Sequence, residues 1–215
     1  NSWAGILLYS SDSNTVTNIT ANSNSYYGIY LYSSDFNTLT NITANSNTWA
    51  GINLDHSSSN TITNSILKEN SVDFDIYASS DSECNNKIEN VTGSNNLPIL
   101  YYNSSVNLSD MQLSELILCN ADYSNIDNVT INGSQSLGNN MLLLMRTDYS
   151  NISNVYSSDN YEGIYLYSSS SNTLSDITAN SNAWAGIYLE SSDSNTVTNI
   201  TANSNSYYGI CLYSS

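Results

Sequence analysis

Positive charge is almost absent from this sequence. Three Lys and Arg residues stand against 19 Asp and Glu residues, which gives a net charge of −16. The basic residues, Lys68, Lys87 and Arg146, are isolated along the chain. Nucleic acids and anionic membrane surfaces are bound through clustered basic side chains. The charge therefore excludes both as partners.

Long apolar runs and metal-binding motifs are also missing. The chain has no run of the roughly 18 apolar residues that would predict a spanning helix, and no basic segment leads into an apolar stretch. We expect no membrane span here, with any signal or anchor outside this segment. Cys84, Cys119 and Cys211 are odd in number and lack CxxC or Cys/His spacing. We therefore expect free or partly buried thiols, with neither a disulfide framework nor a zinc site.

Uncharged polar side chains take the place of charge on the predicted surface. Only 10% of the residues are charged and 40% are hydrophobic, while Ser, Thr, Asn and Tyr are abundant. The hydrophobic share is enough for a real core in a chain of 215 residues. A surface of this composition, with many Asn-x-Ser/Thr sequences and few lysines, indicates an extracellular or cell-surface protein.

One unit of 23 residues recurs along the chain. Within each unit, apolar residues alternate over short runs, as Ile29 and Leu31 do, which is the period of a β-strand. No stretch has helical periodicity long enough to predict a helix. Constant spacing in one direction means that equivalent strands stack in parallel. The glycines of a GI-x-L segment mark the units in two series, each spaced by 23: Gly5, Gly28, Gly51 and Gly163, Gly186, Gly209.

The repeat predicts an all-β fold, a right-handed, single-stranded parallel β-helix with three short strands in each coil of about 23 residues. We expect one continuous segment of about nine coils over residues 1–215, with irregular coils at about 94–160. The only proline, Pro98, stands at the start of a strand, where a missing N–H is tolerated. The first inward position of successive coils is assigned to Ile6, Ile29, Ile52, Ile76, Ile99, Leu116, Leu142, Ile164, Ile187 and Ile210.

A column of asparagines is expected in the tight bend between the second and third strands. Asparagine tolerates the left-handed conformation of such a bend, and stacked amides hydrogen-bond from coil to coil. We interpret the column as a structural ladder of buried amides, with Asp110 and Asp176 in equivalent positions. Its members are Asn18, Asn41, Asn64, Asn90, Asn128, Asn154 and Asn199.

A stripe of tyrosines is expected on the outer face of the first sheet. Tyrosine is a good strand former, so one interpretation is stacking that covers the backbone. Exposed rings also grip sugars or pack against other molecules, and the two interpretations are compatible. Trp3, Trp49 and Trp184, each before Ala-Gly-Ile, are interpreted as packing residues. The stripe comprises Tyr9, Tyr30, Tyr32, Tyr102, Tyr165, Tyr167, Tyr188 and Tyr213.

Two further sets of residues are site candidates. Asp12, Asp35 and Asp193 lie in turns after the first strand, where oxygen ligands repeated at the coil spacing would suit Ca²⁺. The alternative is that they are solvated turn residues, because the glycine-rich nonapeptide of β-roll calcium sites is absent. No other cofactor is expected. Candidate glycosylation sites are Asn103, Asn107 and Asn132, near the irregular coils.

The densest acidic group is Asp73, Asp75, Asp81 and Glu83. Two carboxylates in one site would serve glycoside hydrolysis. A lyase would instead pair a base with Arg or Lys, and only two lysines are near this group. The single histidine, His56, is expected to be solvent-exposed in a turn. We assign no catalytic residue.

Two repeats carry a resemblance to a known class: NTVTNITANSNSYYGIYLYSS and NTLSDITANSNAWAGIYL. They resemble the repeats of NosD-like parallel β-helix proteins, in an Asn/Ser/Tyr-rich form similar to that of surface proteins of methanogenic archaea. The resemblance spans nearly the whole chain and implies the β-helix fold. The class includes sugar hydrolases, lyases, a copper-maturation protein and surface-layer components. Copper delivery would use clusters of Met, His or Cys, and Met111, Met141 and Met145 with one histidine form none.

These observations favour a structural or adhesive protein of an archaeal envelope, sheath or extracellular fibre. Residues 1–34 match residues 182–215 at 30 of 34 positions. We therefore expect end-to-end stacking into a fibre, with lateral contact through the tyrosines. The alternative is a β-helix that binds or degrades polysaccharide, which predicts a cleft lined by tyrosines and carboxylates. The expected partners are further copies of the chain and surface polysaccharide.

Overall fold

The fold is an all-β parallel β-helix, as the repeat predicts. The structure, a computed structural model, describes residues 1–134 and 136–215. Apart from two short 3-10 helices, Asp81–Cys84 and Ser94–Asn96, its regular elements are strands of two to seven residues. Among the described residues, none belongs to a helix long and apolar enough to cross a membrane.

The first part of the chain, residues 1–92, forms four coils that we call the N-terminal β-helix. Its odd-numbered strands stack in parallel as one sheet and its even-numbered strands as another. The strands are β1 (Ala4–Tyr9), β2 (Thr15–Thr20), β3 (Tyr27–Tyr32), β4 (Thr38–Thr43), β5 (Ala50–Asp55), β6 (Thr61–Ile66), β7 (Val72–Tyr77) and β8 (Lys87–Thr92).

The remaining part, residues 98–215, forms the C-terminal β-helix. Its first sheet contains β9, β11, β13, β16, β18 and β20, and its second contains β10, β12, β14, β15, β17 and β19. The strands are β9 (Pro98–Tyr102), β10 (Asn107–Leu113), β11 (Glu115–Cys119), β12 (Asn125–Ile131), β13 (Leu142–Met145), β14 (Asn151–Ser153), β15 (Tyr156–Ser157), β16 (Ile164–Tyr167), β17 (Thr173–Thr178), β18 (Ala185–Glu190), β19 (Thr196–Thr201) and β20 (Tyr208–Tyr213).

The second and third predicted strands of a coil join into one element that turns a corner. In β4, for example, Asn41 has a φ of 56° in the middle of the strand. Left-handed residues of this kind bend the chain without breaking the parallel pairing of neighbouring coils. Close stacking also explains the repeated glycine, because a Cβ on Gly28 would lie 2.4 Å from the carbonyl oxygen of Gly51 in the next coil.

The two β-helices are joined by a reversal of chain direction that the spacing of inward residues did not predict. Strand β9 pairs with β8 antiparallel, with Val91 opposite Ile99. The link is tight, since the Gly93 N–H donates to the Leu97 carbonyl at 2.8 Å. The even-numbered sheet of the N-terminal β-helix therefore continues into the first sheet of the C-terminal β-helix, giving ten strands.

The register near the reversal corrects the expected core column. Ile52 pairs with Phe74 instead of Ile76, and Leu116 pairs with Leu100 instead of Ile99. Spacing alone identifies which residues repeat, but it does not show the direction in which a strand runs.

Two separate hydrophobic cores result, and strands β11 and β13 lie between them. Ile117 and Cys119 pack with Phe74 in the N-terminal core, whereas Leu116 and Leu118 belong to the C-terminal core. All residues of both strands are buried. The outer face of the C-terminal β-helix thus covers the end of the N-terminal core.

A disulfide joins Cys84 to Cys119 across this junction, with Cα atoms 5.3 Å apart. The interpretation of these two residues as free thiols was wrong, because the chain reversal brings together cysteines 35 residues apart. Cys211 is free and partly exposed.

Buried asparagines line the inside of the coils at positions that the sequence analysis did not single out. Asn24, Asn47 and Asn70 are 4%, 2% and 0% exposed. The Nδ2 of Asn24 donates to Asn47 Oδ1 at 2.8 Å, and the Nδ2 of Asn47 donates to Asn70 Oδ1 at 3.0 Å. Each Oδ1 also accepts the backbone N–H of the preceding asparagine in the series. A polar ladder therefore ties neighbouring coils together from within.

Candidate functional site

The outer faces of the two β-helices meet in a cleft beside the junction. Strand register places Tyr30, Asn53 and Asp75 in one outward column of the N-terminal β-helix. The ring centroids of Trp49 and Tyr161 are 5.9 Å apart across the cleft. A cavity of about 290 Å³ lies between the walls.

Among the residues that the structure describes, six aromatic side chains line the cleft. Tyr165 and Tyr188 stack with centroids 5.2 Å apart on the C-terminal wall. Where the walls meet, the hydroxyl oxygens of Tyr77 and Tyr167 are 3.0 Å apart. The floor is apolar and contains Val72, Ile76, Met141, Leu143 and Met145. The aromatic lining comprises Trp49, Tyr77, Tyr161, Tyr165, Tyr167 and Tyr188.

Asp75 holds the N-terminal wall in place. Its Oδ2 accepts the indole N–H of Trp49 at 3.1 Å and the amide N–H of Asn53 at 2.7 Å. Burial raises the pKa of the Asp75 carboxyl, while these hydrogen bonds act in the opposite direction. The carboxyl therefore fixes the ring of Trp49 at the edge of the cavity.

Glu162 enters the cleft from the other wall and is 5% exposed. The residue lines the cavity, and no hydrogen bond from a described residue contributes to the pKa of its carboxyl. Burial, followed by the charges of Asp75 and Glu190, raises the pKa of Glu162 to about 8. The cleft thus holds an acid that stays largely protonated at neutral pH.

Two more acids are buried at the junction behind the cleft. Asp73 Oδ2 accepts the Ser94 N–H at 2.7 Å and the Asn140 amide at 2.9 Å. Glu115 Oε2 accepts the Phe74 N–H at 3.1 Å. Burial raises the pKa of both carboxyls, and the charge of Asp73 adds to the effect at Glu115. These acids lie between the two β-helices, away from the cavity lining.

The acidic group identified in the sequence is therefore divided. Asp73 lies inside the junction and Asp75 in the cleft, while Asp81 pairs with Arg146 at 2.7 Å. Glu83 lies 3.2 Å from His56, which is partly buried instead of solvent-exposed in its turn. These acids lie close together in the sequence, so the sequence alone did not show that the fold places them apart.

The predicted asparagine column lies at the corners of the coils. All seven residues have positive φ. Their side chains are exposed, so the expectation of buried amides was wrong. Bonds between neighbouring corners include Asn41 to Asn18 at 3.1 Å and Asn128 to Asp110 at 2.7 Å. The buried ladder uses other asparagines, which recur at the same spacing.

The predicted tyrosine stripe divides among several environments. Tyr165, Tyr167 and Tyr188 line the cleft, and the stripe continues as a stacked pair of Tyr9 and Tyr32 with centroids 5.2 Å apart. Tyr30 is buried and donates its hydroxyl to Asp55. Tyr213 is exposed on the last strand. Tyr102 was placed on the wrong face, because it packs against the C-terminal core opposite Leu118.

The calcium candidates bond to the backbone of neighbouring coils. Asp12 Oδ1 accepts the Asp35 N–H at 2.8 Å, and Asp35 Oδ1 accepts the Ser58 N–H at 2.6 Å. Asp193 lies in the equivalent turn. The described residues contain no group of three His, Cys, Asp or Glu side chains arranged to hold a metal. For the candidate glycosylation sites, Asn107 and Asn132 are exposed and Asn103 is partly exposed.

Sequence reasoning missed the roles of Trp49, Tyr77, Tyr161 and Glu162. One signal was available: Glu162 is the only acidic residue directly before a GI-x-L glycine, where other units have Ala or Tyr. Trp49, Tyr77 and Tyr161 come together in the cleft because of the reversal at β9, and no position of the repeat predicts that reversal.

Comparison with protein families identifies the fold. A family model described as a right handed beta helix region matches residues 1–115. The chain belongs to this right-handed β-helix family. A second model, described as periplasmic copper-binding protein (NosD), matches residues 116–215. The predicted handedness and the resemblance to NosD-like repeats are thereby confirmed.

The copper named in the second family description does not suit the residues described here. Met141 and Met145 both line the cleft floor, but no histidine lies with them among the described lining residues. Cys84 and Cys119 are joined in the disulfide. Sulfur and imidazole ligands suit copper, and the described lining residues supply only two thioethers, so we derive no chemistry from this metal.

Solved structures similar to the chain include two catalytic domains of GH87 alpha-1,3-glucanase, one with tetrasaccharides and one with nigerose. They are 14% and 15% identical, with TM-scores of 0.41 and 0.39 over 94% and 93% of this chain. The chain spans about half of each, 49% and 48%. The quinolone-resistance protein QnrB1 is 10% identical with a TM-score of 0.21, covering 99% of this chain and 91% of its own. We base no argument on these likenesses, and comparison with curated proteins finds no match.

Proposed function

We propose that this protein is a carbohydrate-binding β-helix of the cell envelope or extracellular space, and that the cleft binds the sugar. The observation that carries the proposal is the pair of aromatic walls with carboxyl and hydroxyl groups at their edges. The apolar faces of sugar rings stack on aromatic rings, while polar edges hydrogen-bond to the sugar hydroxyls. Tyr165 and Tyr188 stack on each other in this lining, with ring centroids 5.2 Å apart.

The size and continuation of the cleft fit a polymer. A cavity of about 290 Å³ lies at the lower end of small-ligand sites and holds one or two sugar rings. The His56 ring contacts both Tyr32 and the cleft residue Tyr77, and so joins the stacked rings of Tyr9 and Tyr32 to the cleft. We therefore assign the cleft to a segment within a polysaccharide.

An oxidising location supports this proposal. Disulfides persist mainly outside the cytoplasm, and the Cys84–Cys119 bridge lies at the junction that forms the cleft. The match of residues 116–215 to a model described as periplasmic is consistent with an envelope setting. Surface polysaccharides are available in that compartment.

Trp49→Ala and Tyr165→Ala are each expected to lower affinity for a bound polysaccharide at least about tenfold, or about 1.4 kcal/mol. Each change removes a ring that the sugar would contact. Isothermal titration calorimetry with envelope polysaccharides measures the effect. Thermal melts check that Trp49→Ala, which also loses the bond to Asp75, remains folded.

Tyr123→Ala is the matched control. Tyr123 stacks on Tyr149 with centroids 5.2 Å apart, and both rings are exposed outside the cleft lining. Its affinity should equal that of the unaltered protein. An equal loss in the control, or no binding of any polysaccharide by the unaltered protein, would refute the assignment.

A second candidate function is a structural unit that stacks end to end. Residues 1–34 and 182–215 match at 30 of 34 positions, and the shared positions include residues that join neighbouring coils. This match favours the second candidate. The Asn14 N–H, for example, donates to Asn37 Oδ1 at 2.8 Å between the first two coils, and Asn195 occupies the position equivalent to Asn14. The later region therefore offers a second copy the same bonding groups that neighbouring coils offer each other.

Sedimentation velocity and electron microscopy test this second candidate. We expect concentration-dependent filaments whose axial repeat matches whole coils, with lateral contact through exposed tyrosines such as Tyr9 and Tyr213. A monodisperse monomer at all accessible concentrations would exclude it while leaving carbohydrate binding in the cleft unaffected.

A further inference from the structure

We propose that the polysaccharide bound in the cleft carries free amine groups, and that the ammonium of one amino sugar lies against the carboxyl of Glu162. This inference rests on the proposed carbohydrate-binding function and names the class of sugar that the cleft selects. Its basis is the chemistry of a buried, unpaired acid between aromatic rings.

The first argument is the lack of a partner for Glu162. The residue is 5% exposed and lines the cavity, and its raised pKa comes from burial and nearby charges, with no hydrogen bond from a described residue contributing to it. Buried polar groups in proteins are nearly always hydrogen-bonded or paired with a charge. A group left open toward a cavity is therefore ready for a partner that comes with the ligand.

The second argument is the distribution of charge around Glu162. The groups that face it are acids and tyrosines: Asp75 on β7, Glu190 on β18, and the rings of Tyr161, Tyr165 and Tyr188. The three basic side chains are engaged elsewhere: Lys68 with Asn96, Lys87 with Glu89, and Arg146 with Asp81. An anionic sugar would thus be repelled, and a cationic sugar would supply the charge that the cleft lacks.

The third argument is the aromatic surroundings. The faces of tyrosine and tryptophan rings attract cations within about 6 Å, most strongly where water is excluded. Trp49 and Tyr161 meet edge to face in the cavity lining, and Tyr165 stacks with Tyr188 beside Glu162. The same rings that stack on a sugar would therefore also stabilise its ammonium group.

Binding of an ammonium has a consequence that binding of a neutral sugar lacks. Because burial and nearby acids raise the pKa of Glu162 to about 8, the carboxyl is mostly protonated at pH 7. A cation in contact stabilises the carboxylate and lowers that pKa. When the amine binds already protonated, the proton of Glu162 passes to the buffer, so up to about one proton is released for each site occupied. A neutral sugar leaves the proton on Glu162.

The experiment compares glucosamine oligomers with N-acetylated oligomers of the same length by calorimetry at about pH 6, in two buffers of different ionisation heat. At this pH the free amine is protonated, and Glu162 still holds its proton. We expect the amine oligomer to bind at least tenfold more tightly and to release a proton. Glu162→Gln should remove both the preference and the proton release, while leaving affinity for the acetylated oligomer within about twofold. Glu89→Gln, the same charge change at an exposed distant site, should alter neither.

The outcomes separate the two proposals. Equal binding of both oligomers without proton release would overturn the amine assignment and leave carbohydrate binding standing. Absence of binding by either oligomer and by every other polysaccharide would refute the proposed function, and the inference would fail with it. Proton release by the unaltered protein requires no variant, so the inference stays testable even if Glu162→Gln folds poorly.

Discussion

Replacing Asn47 with Leu is expected to lower the free energy of unfolding by about 4 kcal/mol. Asn47 Oδ1 accepts both the backbone and the side-chain N–H of Asn24, at 2.9 Å and 2.8 Å. Leucine removes that acceptor and leaves two buried donors unpaired, each costing about 2 kcal/mol. Since the whole stability of a domain is about 5–15 kcal/mol, denaturant titration should show a large shift of the midpoint.

Asn41→Leu provides the comparison on the outside of the same coils. Asn41 is exposed, and its loss removes one bond to Asn18 and places leucine at a φ of 56°. A left-handed residue with a branched side chain costs about 1–2 kcal/mol. We expect the Asn41 variant to lose about half as much stability as the Asn47 variant or less. Equal losses would mean that the buried ladder contributes no more than the exposed corners.

The free energy of unfolding is expected to fall, on the order of a few kcal/mol, as the pH rises from about 5 to about 8. Burial raises the pKa of Asp73, Asp75, Glu115 and Glu162 in the folded protein. Above pH 5 the unfolded chain has lost these protons, while the folded protein still holds them until the pH passes each folded pKa. The stability that these four carboxyls contribute is therefore fully present below about pH 4 and is lost as the pH rises through each folded pKa.

Other carboxyls do not reverse this trend. Hydrogen bonds lower the pKa of Asp127. For Glu83, burial is the largest single effect and raises the pKa, but the bonds from Ser79 and His56 together outweigh it and lower the pKa. Their contribution is present above the unfolded pKa and is lost only as the pH falls through the folded one. The change in the free energy of unfolding between pH 5 and 8 therefore comes from the carboxyls whose pKa is raised.

Denaturant midpoints measured across this range test the prediction with two variants. Glu115→Gln retains an acceptor for the Phe74 N–H but has no proton to lose, so its stability should depend less on pH. Glu89→Gln removes an exposed charge and should give a curve parallel to that of the unaltered protein. If the Glu115 variant also runs parallel, the buried acids are not the origin of the dependence.

The sequence predicts the fold well because each coil is specified locally. Alternating residues such as Ile29 and Leu31 define a strand, and the 23-residue period requires that strands stack in parallel. Asparagines such as Asn41 mark the corners through their backbone preference alone. These features recur many times, so errors at one coil do not obscure the pattern.

The cleft was only partly predictable because it arises from a single event. Tyr165, Tyr167 and Tyr188 were identified as outward residues, and a cleft with tyrosines and carboxylates was the stated alternative. Its assembly depends on the antiparallel pairing of β8 with β9, which brings residues such as Tyr77 and Tyr167 together across 90 positions. The Cys84–Cys119 bridge depends on the same event. A repeat period carries no information about a reversal that happens once.

Because the cleft lies beside the reversal, the length of the molecule and the composition of its binding site can change independently. The described residues that line the cavity fall within 49–77 and 141–188. Duplication or loss of a whole 23-residue unit before residue 49 or after residue 188 would change reach and curvature without displacing a cavity residue. Conversely, substitution of Glu162 could alter ligand preference without affecting the addition or loss of coils in either β-helix.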